Sequence, residues 1–175
     1  GRCPTWGYSG APLFYKDTII VQTGAKNGSL MALDAKSGKE IWRGGGAEAG
    51  YASPYIRAAN PLEVVVFNQD GISIHDFSNG KEKSTYQHRT RYDVNAAQPL
   101  DLGNKMLVAS GYGKGAALLD LTEPQPKVLW ESDEVACQMA SLVYEGGFAF
   151  GIHGQAGANS NRATLFCLDL MEGRK

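Results

Sequence analysis

Residues 34–42 read DAKSGKEIW. Within nine positions an acid opens a turn, a glycine closes it, and an aromatic ring follows on an extended segment. Asp34 can accept hydrogen bonds from nearby backbone N–H groups, and Gly38 can take the positive φ that a tight reversal needs. The flanking runs SLMALDA and KEIWR then read as adjacent strands. The device returns along the chain: DFSNGKEKS supplies Asp76, Asn79 and Gly80, and DLMEGRK supplies Asp169 and Gly173. A further copy, DLTEPQPKVLW from Asp120, is two residues longer and holds two prolines, and Trp130 closes it as Trp42 closes the first. Both tryptophans stand on an outer strand, where a large ring can fill the wedge between neighbouring layers. The four aspartates are therefore turn formers rather than catalysts.

These copies set a period. Leu33-Asp34, His75-Asp76, Leu119-Asp120 and Leu168-Asp169 are spaced by 42, 44 and 49 residues. A second landmark, Pro12, Pro54, Pro99 and Leu142, steps by 42, 45 and 43. Each unit has room for four short strands: GAPLF, DTIIVQT, SLMALDA and KEIWR in the first, and AAQPLDL, KMLVAS, AALLDL and KVLWES in the third. Such runs, bounded by Gly, Asn, Asp and Pro and lacking a 3.6-residue apolar period, are strands. Four strands in about 40–45 residues is the signature of a propeller blade. The sequence thus predicts an all-β chain of four antiparallel, four-stranded units, approximately 8–50, 51–92, 93–136 and 137–175. The last outer strand is cut short at MEGRK. The expected form is an open arc whose first and fourth blades are not packed on each other and which self-associates when expressed alone.

One motif competes with this reading. In ASGYGKGAALLDL, residues 109–121, Gly111, Gly113 and Ala116 have the spacing of a dinucleotide loop. A Rossmann site needs a helix behind that loop and a βαβ unit around it. Here ALLDL and a turn follow, and the stretch fills the slot held elsewhere by TGAKNGS, NQDG and HGQAGANSNRA. It reads as a solvent-exposed hairpin.

Composition removes other classes. Seventeen Lys and Arg face 18 Asp and Glu, for a net charge of −1, which gives no basic surface for nucleic acid. No apolar run approaches the roughly 20 residues that span a bilayer. The chain opens GRCPTWGYSG, without Met or a basic-then-apolar leader, and reads as an internal piece. Cys3, Cys137 and Cys167 are too far apart for a CxxC motif; they are small buried hydrophobes, or one disulfide with a thiol left over. His75 reads as a packed or edge histidine. His153 has no second His or Cys nearby for a metal site. NGS at 27–29 reads as a hairpin tip, and Ser110 lacks a His/Asp arrangement.

The densest polar stretch, YQHRTRYDVNAA at 86–97, joins the second unit to the third. It places His88, Arg89, Arg91, Tyr92, Asp93 and Asn95 on a blade-to-blade loop at one rim, near a propeller axis. Arginine can clamp a carboxylate, and Asp93 with Asn95 can offer hard oxygen ligands. The plainer reading is a polar rim loop with local salt bridges; the sharper one is a site for a ligand or partner.

Ala32-x-Asp34-x-x-Ser37-Gly38-Lys39-x-x-Trp42 resembles the tryptophan-docking repeat of the pyrroloquinoline quinone (PQQ) family of β-propellers, with Ser37 in place of the usual Thr. Cys167-x-Asp169-x-x-Glu172-Gly173-Arg174 follows the pattern until the chain stops. The second repeat has Ser84 where Trp would stand, and the third keeps Asp120 and Trp130 around its longer turn. Across nearly the whole chain the likeness is to PQQ-like propellers, including those of the outer-membrane-protein assembly lipoprotein. The resemblance implies seven or eight blades in a complete ring, so remaining blades of a longer chain are expected as neighbours. It also implies a periplasmic or otherwise extracytoplasmic bacterial protein.

That family divides into enzymes and scaffolds, and a fold does not choose between them. Its dehydrogenases hold PQQ over a Trp with Ca²⁺ on Glu, Asn and Asp, beside a catalytic Asp and a disulfide of adjacent cysteines. This chain has no adjacent cysteine pair, and Trp6, Trp42 and Trp130 suit blade packing better. The expectation is a non-catalytic scaffold without cofactor or metal, binding a protein or small molecule through its rim loops. The alternative is a segment of a PQQ- and calcium-dependent alcohol dehydrogenase. A weaker third idea is a polysaccharide-binding module using Tyr51, Tyr55 and Tyr92.

Overall fold

The computed structural model describes residues 3–157 and 163–175, and among them there is no helix. The central part of the stretch HGQAGANSNRA, 158–162, lies outside the described residues. Fifteen strands form four antiparallel meanders in chain order. The first blade is β1 (Leu13–Tyr15), β2 (Thr18–Ala25), β3 (Gly28–Asp34) and β4 (Glu40–Gly44). The second is β5 (Tyr55–Arg57), β6 (Glu63–Asn68), β7 (Gly71–Asp76) and β8 (Glu82–Gln87). The third is β9 (Leu100–Asp101), β10 (Lys105–Ser110), β11 (Gly115–Asp120) and β12 (Lys127–Ser132). The fourth has three strands, β13 (Val143–Glu145), β14 (Phe148–His153) and β15 (Thr164–Asp169); an isolated bridge from Asp169 to Arg174 continues beyond β15.

The Asp turn closes the outer strand pair by a repeated set of bonds. Gly38, Gly80 and Gly173 each donate N–H to the carbonyl of Asp34, Asp76 and Asp169, at 2.8, 2.9 and 2.8 Å. Each aspartate in turn donates its own N–H to the carbonyl of Lys39, Lys81 or Arg174. Asp34 Oδ1 accepts from the backbone and hydroxyl of Ser37, and Asp76 Oδ1 does so from Ser78. Those hydroxyl bonds, reinforced by the backbone ones, hold both carboxyls below the usual Asp range. In the longer third turn, Asp120 accepts from Thr122 in the same manner, its backbone N–H contributing most to the lowered pKa.

A bulge follows each of the first three turns at one equivalent place: between Ala32 and Leu33, Ile74 and His75, and Leu118 and Leu119. A bulge bends the strand and re-aims its side chains. It pairs Ala32 with Trp42, Ile74 with Ser84 and Leu118 with Trp130, so these three outer-strand residues are structural equivalents.

The chain divides into two compact units, Gly1–His88 and Arg89–Lys175. In the first, Ile20, Leu30, Ala32 and Trp42 of one blade bury against Val64 and Val66 of the next, with Ile56 and Phe77 at the margin. Trp42 is 9% exposed, and its indole N–H donates to Phe77 O at 2.9 Å. In the second, Leu107, Ala109, Ala116 and Leu118 pack with Ala149, Phe166 and Leu168. Trp130 donates to Leu170 O at 2.9 Å. Each unit is thus a pair of blades joined by one tryptophan, and Ser84 occupies the tryptophan position of the remaining four-stranded blade.

Two expectations fail here. Trp6 is not a blade-packing ring: it is 62% exposed and leans on Tyr51 with centroids 5.9 Å apart. Of the three cysteines, all free thiols, only Cys137 is buried, while Cys3 and Cys167 are exposed.

Candidate functional site

An up-and-down meander of four strands fixes which loops share an end. In the third blade β10 runs to the hairpin 111–114, β11 returns, and β12 arrives at the same end as that hairpin before the chain leaves for the fourth blade. Within each blade the hairpin between the two middle strands and the connector that leaves the blade therefore share one end. The Asp turn lies at the other.

Within the unit Arg89–Lys175, side chains join these loops. Tyr112 lies in the hairpin that imitates a dinucleotide loop, with φ +57°, a left-handed value unusual for a residue bearing a side chain. Its N–H donates to Gln155 Oε1, on the connection after β14. Its phenol oxygen accepts from Gln138 Nε2 at 2.9 Å, and Gln138 Oε1 accepts from Ala156 N–H at 2.5 Å. Gln138 belongs to the connector between the third and fourth blades and is 4% exposed. A nearly buried amide thus ties three loops together through all its polar ends but one hydrogen. The stretch is a β-hairpin, as the sequence indicates, though Gly111 is buried and only Gly113 is fully exposed.

Tyr92 packs edge-on against Tyr112, with centroids 4.8 Å apart and planes at 75°. Arg91 lies over the Tyr92 ring, its guanidinium carbon 5.3 Å from the centroid. Arg91 is exposed and Tyr92 is 48% exposed. Asp93 is engaged by Arg89, Nε to Oδ1 at 2.8 Å, and also sits at positive φ, +58°. Thr90 holds the intervening turn: its carbonyl accepts from Asp93 N–H at 3.1 Å and its hydroxyl from Val94 N–H at 2.6 Å. Asn95 is fully buried, and its Oδ1 accepts from the Ser110 hydroxyl at 2.8 Å.

The six candidates from 86–97 therefore divide. Arg91 and Tyr92 face outward, Arg89 and Asp93 form a pair beside them, and Asn95 lies inside. His88 belongs to the other unit, buried near the rings of Phe67 and Tyr86. Tyr112, Gln138 and Gln155 complete the constellation and escape a reading of the sequence, since they stand 26 and 43 residues from their partners. Their one signal is that a hairpin of glycines keeps a tyrosine.

A calcium-held quinone needs several oxygen ligands turned toward one point. Asp93 is spent on Arg89 and Asn95 on Ser110. Among the described residues no three His, Cys, Asp or Glu converge as metal ligands. The side chains of the described residues do not fit that group. His153 accepts the N–H of Ala136 at Nδ1, 3.0 Å away, and serves the connector. A cleft in this unit mixes Glu131, Asp133, Glu134 and Glu172 with Lys114 and Arg174.

A family model described as outer membrane protein assembly factor BamB, of the PQQ-repeat type, matches residues 5–175. No curated protein matches in sequence. Among solved structures, the computationally designed Ika8 protein is similar at a TM-score of 0.62 with 12% identity, over 95% of this chain and 47% of that one. That likeness concerns the fold alone, and the chain spans about half the length of its structural relative.

Proposed function

This chain belongs to the PQQ-repeat propeller family of the outer membrane protein assembly factor BamB, and from that premise we propose that it is a non-catalytic binding scaffold. It works through the loop end of its blades, without PQQ or a metal of its own. The observation that carries the reading is the wiring of Tyr112 by Gln138 and Gln155. Three loops are held in fixed relation, with Arg91 and Tyr92 presented beside them. Rigid presentation of exposed side chains lowers the ordering cost of binding. The reading places the protein outside the cytoplasm of a bacterium, joined to further blades, with a protein or small molecule as its ligand and no role for nucleic acid. No helix among the described residues is long and apolar enough to cross a membrane.

The test is a photocrosslinking scan in cells making the full-length protein. A photoreactive residue at Arg91, Tyr92 or Gly113 should capture a discrete species. One at Ser37, Thr122 or Glu172, on the turn end, should not. Equal capture from both ends, or none from the loop end, removes the reading. Dye-linked alcohol oxidation requiring added PQQ and Ca²⁺ would replace it with the dehydrogenase.

A further inference from the structure

The constellation in the second unit has a chemical bias. Tyr92 brings a phenol O–H, Gln155 keeps its amide N–H₂ after its oxygen accepts from Tyr112, and Tyr112 keeps its own O–H after accepting from Gln138. Arg91 adds a guanidinium whose described contact is the ring of Tyr92, with no carboxylate described within ion-pair distance. The neighbouring acid, Asp93, is already neutralised by Arg89. This loop surface therefore offers several donors, carries a positive charge on Arg91 with no described carboxylate partner, and includes the edge-to-face rings of Tyr92 and Tyr112. Two of the three non-glycine residues with positive φ, Asp93 and Tyr112, flank it. Such conformations persist only where surroundings impose them, and they gather at ligand sites.

A donor-rich corner recognises a ligand rich in acceptor oxygens. The planar fork of arginine matches a carboxylate bidentately, while phenol and amide N–H groups suit vicinal hydroxyls. Neutral sugars that bind by stacking need an open ring face. Here Arg91 covers one face of Tyr92, and Tyr112 meets that ring edge to face. We infer that this corner is a subsite for a carboxylate-bearing sugar, a hexuronate unit, with its carboxylate on Arg91 and its hydroxyls on Tyr92, Tyr112 and Gln155. The inference rests on the binding-scaffold reading and names a ligand class for it.

Titration of the purified chain with trigalacturonate, followed by amide NMR and calorimetry, tests it. Saturable binding in the millimolar range or tighter is expected, with shifts centred on the Tyr112 N–H and the Gln155 side-chain amide. Arg91→Gln should weaken it at least about tenfold and Arg91→Lys by less, because Lys keeps the charge but not the fork. Lys39→Gln, on the turn end, should leave it unchanged, and an unchanged melting temperature certifies the fold of each variant. Absence of binding, binding indifferent to Arg91→Gln, or equal binding of maltotriose overturns the inference. Arg91-dependent binding of tetraglutamate without trigalacturonate also overturns it while leaving the scaffold reading intact. Failure of the crosslinking scan strikes that reading instead.

Discussion

His75 stands directly before the turn aspartate, where the other three blades have leucine, Leu33, Leu119 and Leu168. It is fully buried, with Nδ1 3.2 Å from Gly80 O and Nε2 2.9 Å from Ser73 Oγ. Burial pushes its pKa below 6.5, against smaller upward pulls from Gly80 O and from Glu82, whose carboxylate is 4.0 Å away. Above pH 6.5 the ring is neutral in folded and unfolded chains alike. As pH falls below 6.5 the unfolded chain takes up the proton first, so stability declines until the lower folded pKa is reached. Melting temperature should therefore fall between pH 7.5 and pH 5, and His75→Gln should flatten that slope. A second residue-scale prediction concerns thiols. Burial raises Cys137 to about 11, and its Sγ donates to Ile152 O at 3.2 Å. Thiol-labelling reagents at pH 8 should modify Cys3 and Cys167 in the native protein and reach Cys137 only on unfolding. Neither environment is legible in the sequence, because burial depends on which face of a strand a neighbouring blade covers.

At the scale of the element, the tryptophan docks carry the test. The turn of the second blade approaches the first so closely that a Cβ on Gly80 would fall within the contact radius of the Trp42 ring. A Cβ on Gly173 would lie 2.7 Å from Trp130 Cδ2. Gly38 has the same left-handed φ, +68° against +72° at Gly80, but open space around it. The pair separates backbone strain from crowding. Gly38→Ala should cost roughly 1 kcal/mol, the left-handed penalty alone. Gly80→Ala adds overpacking of about 1–3 kcal/mol on top of that penalty. Trp42→Ala should cost about 3–5 kcal/mol, the usual range for a large buried aromatic. Urea denaturation of the three variants measures all three. This much was open to a reader of residues 34–42, since Asp34, Gly38 and Trp42 announce the turn and the ring. The bulge that aims the ring was not, because pairing with β3 skips Ile41 without altering the residue pattern.

For the molecule as a whole, the repeat period sufficed to set strand order and pairing, since a meander of short strands has few alternatives. The loop constellation stayed hidden because its contacts join one loop to the next across most of a period. The fourth blade buries Ala149, Phe166 and Leu168 toward the third and leaves Phe148, Phe150, Ile152 and Leu165 exposed. An apolar row of this kind drives association. Sedimentation of the isolated chain should show concentration-dependent pairing of copies, relieved by Phe150→Lys with Leu165→Lys.

The parity of the meander has a consequence for how such a protein changes over generations. Acid-to-glycine spacing is identical in the turns 34–38, 76–80 and 169–173, while the stretches between middle strands run from NQDG to HGQAGANSNRA. Three of the four turns keep one spacing, and that of the third blade is two residues longer. The opposite end of each blade can accept insertions, new side chains and grafted segments without disturbing the docks. Within each blade, docking and recognition thereby fall to opposite ends, and recognition can be rewritten many times over on an architecture that does not have to be reinvented.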